Sequence, residues 1–254
     1  MPLLLLLLIL IGIRPAYADI DAKHLLQPEI LDSQSQNPDW FIQGLYFENN
    51  RFYVSSGLYG KSFVTVDNSA QRWEYHLPSV LFAEGLTVIG DQLYLLTWKS
   101  QQLLILDKRT GELTGTLSYE GEGWGLTHND RHFIMSNGSN RLLFRNHRSF
   151  ALEKNLVVKD LNRLNELEYV DGIIWANRWY DDRIYAIDSN DGCVRAAIDL
   201  SELRRQATTA NAQAVTNGIA YDTNRQGLWV TGKYWQQRFL IKLPPLPSRS
   251  DTCS

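Results

Sequence analysis

An all-β fold, a five-bladed β-propeller whose N-terminal strand completes the last blade, is predicted by three features of the sequence. A short pattern recurs at Gln43-Gly44-Leu45, Glu84-Gly85-Leu86, Trp124-Gly125-Leu126, Asn165-Glu166-Leu167 and Asn217-Gly218-Ile219, at intervals of 41, 40, 41 and 52 residues. Each copy opens a series of brief β-branched and aromatic runs, separated by the Gly, Asn and Asp residues that tolerate the positive φ of tight hairpins. Four-stranded units of about 40 residues, each covering the apolar face of the next, are the signature of a propeller. The last unit is one strand short, and a segment before the first unit has no other home.

The elements follow in chain order. Residues 1–18 read as an export signal, with the apolar run Leu3 to Ile11 followed by Arg14, Pro15 and the small-x-small triplet Ala16-Tyr17-Ala18, although no Lys or Arg precedes the run. Residues 19–254 then form one domain. His24 to Leu31 is expected to pair with Phe239 to Leu243 and so close the ring, removing an exposed strand edge. The first unit turns at Asn49-Asn50 and continues through Phe63 to Val66. The second shows the full plan: Gly85 to Ile89, a Gly90-Asp91 turn, Leu93 to Thr97, Leu103 to Leu106, a turn at Lys108 to Gly111, and Leu113 to Tyr119. The third turns at Asn129-Asp130 and includes Leu142 to Phe144; the fourth turns at Asp171-Gly172 and Asp191-Gly192 around Ile184 to Ile187. Ser201 to Val215 reads as helical and accounts for the longer final interval. The fifth unit has three strands, around Ile219, Leu228 to Thr231 and Phe239 to Leu243, before Pro244-Pro245 stops the sheet.

Composition narrows the function. The 254-residue chain has a formal net charge of −3 with both signs interspersed, which excludes a nucleic-acid surface. Its apolar N-terminal run falls short of the ~20 residues of a membrane span, so a soluble monomer, periplasmic or secreted, is expected after cleavage. Cys193 and Cys253 are too few for a disulfide framework and too far apart in sequence for a metal-binding pair; whether they pair with each other stays open.

In a propeller the residue opening each unit converges on one end of the central channel. Gln43, Glu84, Trp124, Asn165 and Asn217 place one carboxylate among amides and an indole, where a purely structural ring would repeat one residue type. Fourteen residues further on stand Gly57, Trp98 and Trp179, and after a small extension Lys233 takes the equivalent place in the fifth unit. Lone tryptophans in such a protein are ordinarily core, as read for Trp175 and Trp229, whereas Trp98, Trp124 and Trp179 recur in phase with the repeat. His128 and His132 flank a turn between strands, where their spacing does not bring two ligands together. The glycines of Gly121 to Gly125 lead into a strand and not a helix, so they read as sites of close packing and not as a phosphate loop. Asn137-Gly138-Ser139 is a glycosylation sequon, relevant only in a host that glycosylates.

Read together, Phe41-Ile42-Gln43-Gly44-Leu45, Ser56-Gly57-Leu58-Tyr59-Gly60, Glu84-Gly85-Leu86-Thr87, Leu96-Thr97-Trp98-Lys99, Tyr119 to Thr127, Leu164 to Tyr169 and Thr231-Gly232-Lys233 resemble the plant and bacterial glutaminyl cyclases, from about Trp40 to Leu243. The resemblance implies a five-bladed propeller that cyclises N-terminal Gln of peptides to pyroglutamate. It places the essential acid on Glu84, polar pocket residues on Gln43, Asn165 and Lys233, and indole walls on Trp98, Trp124 and Trp179. It implies no cofactor for catalysis and leaves a structural Ca²⁺ in the channel as an open expectation. The sequence departs from the family at Ala83, Asn137 and Arg178, and Arg178 is the departure expected to alter substrate choice. Two rivals stand beside this reading: a non-catalytic propeller binding a peptide or glycan, and a glycoside hydrolase pairing Glu84 with Glu122 or Glu166.

Overall fold

The computed structural model describes residues 24–67, 72–208 and 211–253. The expected signal segment, residues 1–18, lies outside them. Two strands precede the first blade, β1 (Leu25–Leu26) and β2 (Ile30–Ser35). Blade 1 comprises β3 (Ile42–Glu48), β4 (Arg51–Ser56), β5 (Phe63–Asp67) and β6 (Glu74–His76), and blade 2 comprises β7 (Ala83–Ile89), β8 (Gln92–Thr97), β9 (Gln102–Asp107) and β10 (Leu113–Ser118). Blade 3 follows with β11 (Leu126–His128), β12 (His132–Ser136), β13 (Arg141–Asn146) and β14 (Leu152–Val157). Blade 4 is built from β15 (Leu164–Val170), β16 (Ile173–Arg178), β17 (Arg183–Asp188) and β18 (Val194–Asp199). After α1 (Ser201–Ala207), blade 5 contributes β19 (Thr216–Asp222), β20 (Gly227–Gly232) and β21 (Gln237–Lys242), and α2 (Arg249–Thr252) ends the chain. The propeller of five blades is as the repeat predicts.

Why the strands read as continuous apolar runs is visible in the packing. Successive side chains of a strand point to opposite faces, and here both faces meet a neighbouring blade. In β16, Ile174 and Ala176 pack against blade 3 while Trp175 packs against blade 5. The described apolar core accordingly divides into five clusters, one at each blade junction. Trp175 and Trp229 are core, each 1% exposed, as expected of indoles out of phase with the site.

The ring closes as expected, with an N-terminal strand completing blade 5, but that strand spans residues 30–35 where 24–31 was expected: β2 pairs antiparallel with β21, from Ile30 opposite Ile241 to Ser35 opposite Gln237. Leu25 and Leu26 instead lie parallel to β18, opposite Ala197 and Ile198, and add a fifth strand to blade 4. The two leucines, part of the segment expected to close the ring, cover the blade 4 edge instead. The true closing strand is an outermost one, largely exposed and polar, and Gln36 fixes its end through Nε2 bonds to the carbonyls of Gly232 and Trp235. The predicted helix over 201–215 is also shorter. It ends at Ala207, because Thr208 is extended (φ −123°, ψ 153°) and its hydroxyl turns back to the Arg204 carbonyl.

Cys193 and Cys253 form a disulfide. Together with Arg195, which donates to the Pro247 carbonyl at 2.5 Å and to Thr252 Oγ1 at 3.1 Å, it straps the C-terminal tail onto blade 4.

At the axis, Glu166 and Glu168 of β15 are fully enclosed and bond backbone of other blades. Glu166 accepts from Ile219 N at 2.9 Å and from Leu45 N at 3.5 Å; Glu168 accepts from Tyr221 N at 2.9 Å and from the Thr127 hydroxyl at 3.3 Å. Burial pushes both carboxyls up, Glu168 to about 7. A raised acid holds its proton longer in the folded chain, so the folded state binds more protons between about pH 4.5 and 7 and stability falls as pH rises through that window. Glu168→Gln keeps an acceptor for Tyr221 without the titration. Thermal unfolding from pH 5 to 8 is expected to show a flatter profile for the variant and greater stability than the parent at pH 8, on the order of 2–3 kcal/mol. An unchanged pH profile would place the titration elsewhere.

Candidate functional site

The repeat carries a hydrogen-bond rule that holds in four blades. The backbone N–H of Gly57, Trp98, Trp179 and Lys233 donates to the carbonyl of Phe41, Phe82, Arg163 and Val215 respectively, in each case the residue two before the opener, at 2.9–3.0 Å. These bonds stitch the end of the second strand of a blade to the entrance of its first, and so hold both phases of site residue at one end of the channel. Gly138 takes the corresponding place in blade 3, at φ +76°, and lies flat beneath the Trp124 indole, where a Cβ would come within 2.5 Å of the ring. The Asn137 side chain shapes that turn by accepting from the Ser139 hydroxyl at 2.6 Å.

All seven residues assigned to the site from sequence, Gln43, Glu84, Trp98, Trp124, Asn165, Trp179 and Lys233, line one cavity of about 230 Å³. Pockets that enclose drug-sized molecules start near ~300 Å³. This one has room for a single residue side chain and not for a length of peptide. Phe41, Phe82, Tyr180, Gln213 and Val215 line it too and were not anticipated. The signal for three of them was present: Phe41, Phe82 and Val215 stand two residues before an opener, and alternate residues of an extended chain share a face. Tyr180 adjoins Trp179, and Gln213 comes from the insertion between blades 4 and 5, which no repeat predicts. The fifth opener, Asn217, stays out of the cavity and supports it from behind, its amide donating to the carbonyls of Ile42 and Gln43 at 3.0 and 3.2 Å.

Glu84 is 5% exposed, with Gln43 Nε2 donating to its Oε1 at 3.1 Å. Burial pushes its carboxyl well above the ordinary range; the Lys233 ammonium opposes this and Glu122 adds to it. Lys233 is no solvated hairpin charge. It is 5% exposed, its Nζ lies 4.2 Å from the centre of the Phe41 ring, and burial lowers its pKa to about 8 against the pull of Glu84. The aromatic wall is held edge to face, with Trp124 and Trp179 centroids 5.6 Å apart and Trp98 at 5.6 Å from Phe82. The cavity thus offers an enclosed carboxyl, three amides and an amine among rings, a set suited to moving a proton on a substrate held by shape.

Other candidates occupy different places. Arg178 does not line the cavity; it pairs with Asp181 at 3.0 Å, and Asp181 in turn accepts from the Tyr185 hydroxyl at 2.7 Å, bracing the turn that carries Trp179 and Tyr180. Its expected influence on substrate choice would act through the turn it braces. Glu166 lies beneath the site, held by N–H groups. His128 bonds Thr87 and His132 pairs with Glu153, so the two histidines point to different partners. The backbone carbonyls converging at the openers are engaged: Glu84 O by Ser55 Oγ, Trp124 O by Gly85 N, and Asn165 O by Ser136 Oγ. Each of these carbonyls keeps a second acceptor lone pair.

Lys233 gives a stability test. Its folded pKa of about 8 lies below the unfolded 10.5, so the unfolded chain binds more protons between those values. Enclosing the amine then costs stability at neutral pH, and the cost fades as pH rises through that window. Lys233→Met is expected to raise thermal stability at pH 7 by on the order of 2–3 kcal/mol and to lose the advantage above about pH 10. A variant less stable than its parent at pH 7 would show that attraction to Glu84 outweighs burial.

Over residues 3–243 the chain matches the family model described as glutamine cyclotransferase. It is similar to the glutaminyl-peptide cyclotransferase of Arabidopsis thaliana, 31% identical over 245 residues that span 92% of this chain and 77% of the relative. The crystal structure of Myxococcus xanthus glutaminyl cyclase superposes with a TM-score of 0.80 at 31% identity, covering 88% of this chain and all of the other. A five-unit propeller with these residues at its mouth, matched by the family model along nearly its whole length, belongs to the glutamine cyclotransferase family.

Proposed function

We propose that the chain is a glutaminyl-peptide cyclotransferase, closing N-terminal Gln of peptides or proteins to pyroglutamate with release of ammonia. The observation that carries this reading is Glu84, enclosed at the base of a cavity sized for one side chain and flanked by an amide and an amine. A free α-amine has a pKa near ~8. Burial raises the Glu84 carboxyl well above the ordinary carboxylate range and so brings its proton affinity closer to that of the amine, which favours proton transfer in both directions. In the reaction the α-nitrogen bonds to the side-chain Cδ, the bond from Cδ to the amide nitrogen breaks, and one proton passes from the attacking to the leaving nitrogen. Glu84 is the carrier of that proton. Gln43, Asn165 and Lys233 orient the amide and stabilise charge on its oxygen, each such donor being typically worth about 3 kcal/mol. Trp98, Trp124 and Trp179 fold the flexible side chain so that amine and Cδ meet, and they exclude water.

The same reading makes residues 19–254 the mature catalytic domain, acting as a monomer on peptides without a catalytic cofactor. Residues 1–18 are its export signal and the location is periplasmic or secreted, a placement supported by the Cys193–Cys253 bond, since disulfides persist in oxidising compartments. A Ca²⁺ elsewhere along the channel would act on stability alone.

Glu84→Gln preserves shape and hydrogen bonding but removes the proton carrier. Ammonia release from a Gln-peptide is expected to fall by roughly 10² to 10⁴-fold, with peptide affinity within a few-fold and thermal stability kept or raised. A folded variant with full turnover would exclude Glu84 as the carrier. A parent chain that binds peptide or glycan without releasing ammonia would instead support the non-catalytic propeller. Activity is also expected to survive a strong chelator; inactivation of enzyme that stays folded would point to a metal-dependent reaction.

A further inference from the structure

Glu122 takes no part in the reaction as derived, yet it occupies a privileged phase. It stands two residues before the third opener, the position filled by Phe41 and Phe82 in the first two units. Its carboxylate reaches back to two walls of the cavity at once. Oε2 accepts from Trp98 Nε1 at 2.8 Å and from Trp124 Nε1 at 3.0 Å, so indoles from blades 2 and 3 are pinned on one oxygen. Lys99 completes the cluster, with Nζ 3.6 Å from the other carboxylate oxygen and 4.0 Å from the centre of the Trp98 ring.

Glu122 does not itself line the cavity. The polar edges of both indoles are therefore turned out of the pocket toward it, leaving the rings' carbon surfaces for the substrate. An indole N–H away from bulk water needs an acceptor, and a carboxylate receiving two such bonds is a strong one. Partial burial works against ionisation of Glu122, but the bonds from Trp124 and Trp98 and the charge of Lys99 outweigh it, and its pKa is lowered. The clamp is therefore ionised throughout the range in which Glu84 works. Each pinned indole also supports a second ring, Trp98 against Phe82 and Trp124 against Trp179, so one carboxylate fixes four of the rings around the pocket.

We propose that Glu122 is the positioning residue of the indole wall: without touching substrate, it holds Trp98 and Trp124 in the orientation that folds the N-terminal Gln onto Glu84. The proposal rests on the cyclotransferase reading for its kinetic consequences, but the orientation of the indoles is measurable without any substrate.

Two conservative variants separate reach from charge. Glu122→Gln keeps an oxygen able to receive both indole N–H groups and removes the charge. Glu122→Asp keeps the charge and withdraws it by one methylene, out of reach of one or both indoles. In the ligand-free protein, acrylamide quenching of tryptophan fluorescence is expected to rise for the Asp variant and to stay at the parent level for Gln. In turnover of a Gln-peptide, kcat/KM is expected to fall about 10- to 100-fold for Asp, mostly through KM, and less than about 3-fold for Gln, since misplacing a positioning group is costly while its charge is secondary.

The pH profile adds an independent readout. The charged or titratable groups facing Glu84 are Lys233, Glu122 and the Tyr119 hydroxyl, and only Glu122 changes here. Removing its negative charge lowers the Glu84 pKa, so the acid limb of kcat/KM is expected to move to lower pH in the Gln variant and to stay in place in the Asp variant. Parent-like quenching and kcat/KM in the Asp variant would overturn the proposal. So would a Gln variant as impaired as Asp, which would make charge and not geometry the contribution. Should the parent chain release no ammonia, the cyclotransferase reading falls, while the quenching comparison still decides whether Glu122 holds the indoles.

Discussion

The close approach of the five inner strands around the axis is the constraint on which the rest of the molecule depends. It is made by glycine. A Cβ on Gly44 would lie 2.6 Å from Leu86 N, one on Gly85 2.5 Å from Leu126 N, and one on Gly125 2.1 Å from the Asn165 carbonyl. Each of these glycines follows an opener and faces the backbone of the next blade, so the X-Gly pattern of the repeat marks where blade meets blade. Blade 4 breaks the pattern with Glu166. There the contact to blade 5 is made by a side chain, the carboxylate receiving Ile219 N, and it extends across the axis to Leu45 N. The inner strands touch in an unbroken ring, β3 to β7, β11, β15, β19 and back to β3.

That ring explains why the site can be unequal while the scaffold is regular. Since each backbone position is set by its neighbours, the opener of each blade can be chosen for chemistry, and the residue before and after it for packing. Burying Glu84 and Lys233 in one cavity is unfavourable by itself, because an enclosed charge loses its hydration and attraction between interior charges rarely recovers all of it. The cavity tolerates the two groups because each can approach neutrality, the carboxyl by its raised pKa and the amine by its lowered one. The same shifts weaken the fold and leave both groups able to exchange a proton near neutral pH.

Much of this was legible in the sequence, for physical reasons that also explain the failures. The repeat could be read because tight turns demand Gly, Asn or Asp and the axis demands glycine, so a few positions in each unit are nearly forced. Phase gathered the candidate residues, and the family resemblance picked the seven from among them, leaving out Asn217 and Gly57. The closing strand was recognised but its bounds were set too early, because an outermost strand touches little: Ile30–Ser35 has no strong apolar pattern, whereas Leu25-Leu26 has one and uses it against blade 4. The helix over the insertion was overextended because Ala and Gln residues after Ala207 favour helix locally, while the chain there must return to the axis to present Gln213 and Val215. Phe41, Phe82 and Val215 were missed although strand alternation marked them, since attention stayed on the openers.

Glu122 and Arg178 show the deeper limit of a one-dimensional reading. Glu122 stood out as a possible partner acid for Glu84, and Arg178 as a departure from the family pattern expected to alter substrate choice. In the fold both act on aromatic residues that line the cavity and neither lines it: Glu122 holds the edges of Trp98 and Trp124, and Arg178 braces the turn below Trp179. A sequence pattern identifies which residues converge, because convergence follows from the period. It does not identify which residues hold the converging ones still, because those contacts depend on where side chains reach, as Glu122 does toward both indoles and Arg178 toward Asp181. A wall of rings is shaped mostly by such contacts. Indoles have broad apolar surfaces with weak orientational preference of their own, and a fixed acceptor for each N–H turns a loose packing arrangement into a defined one.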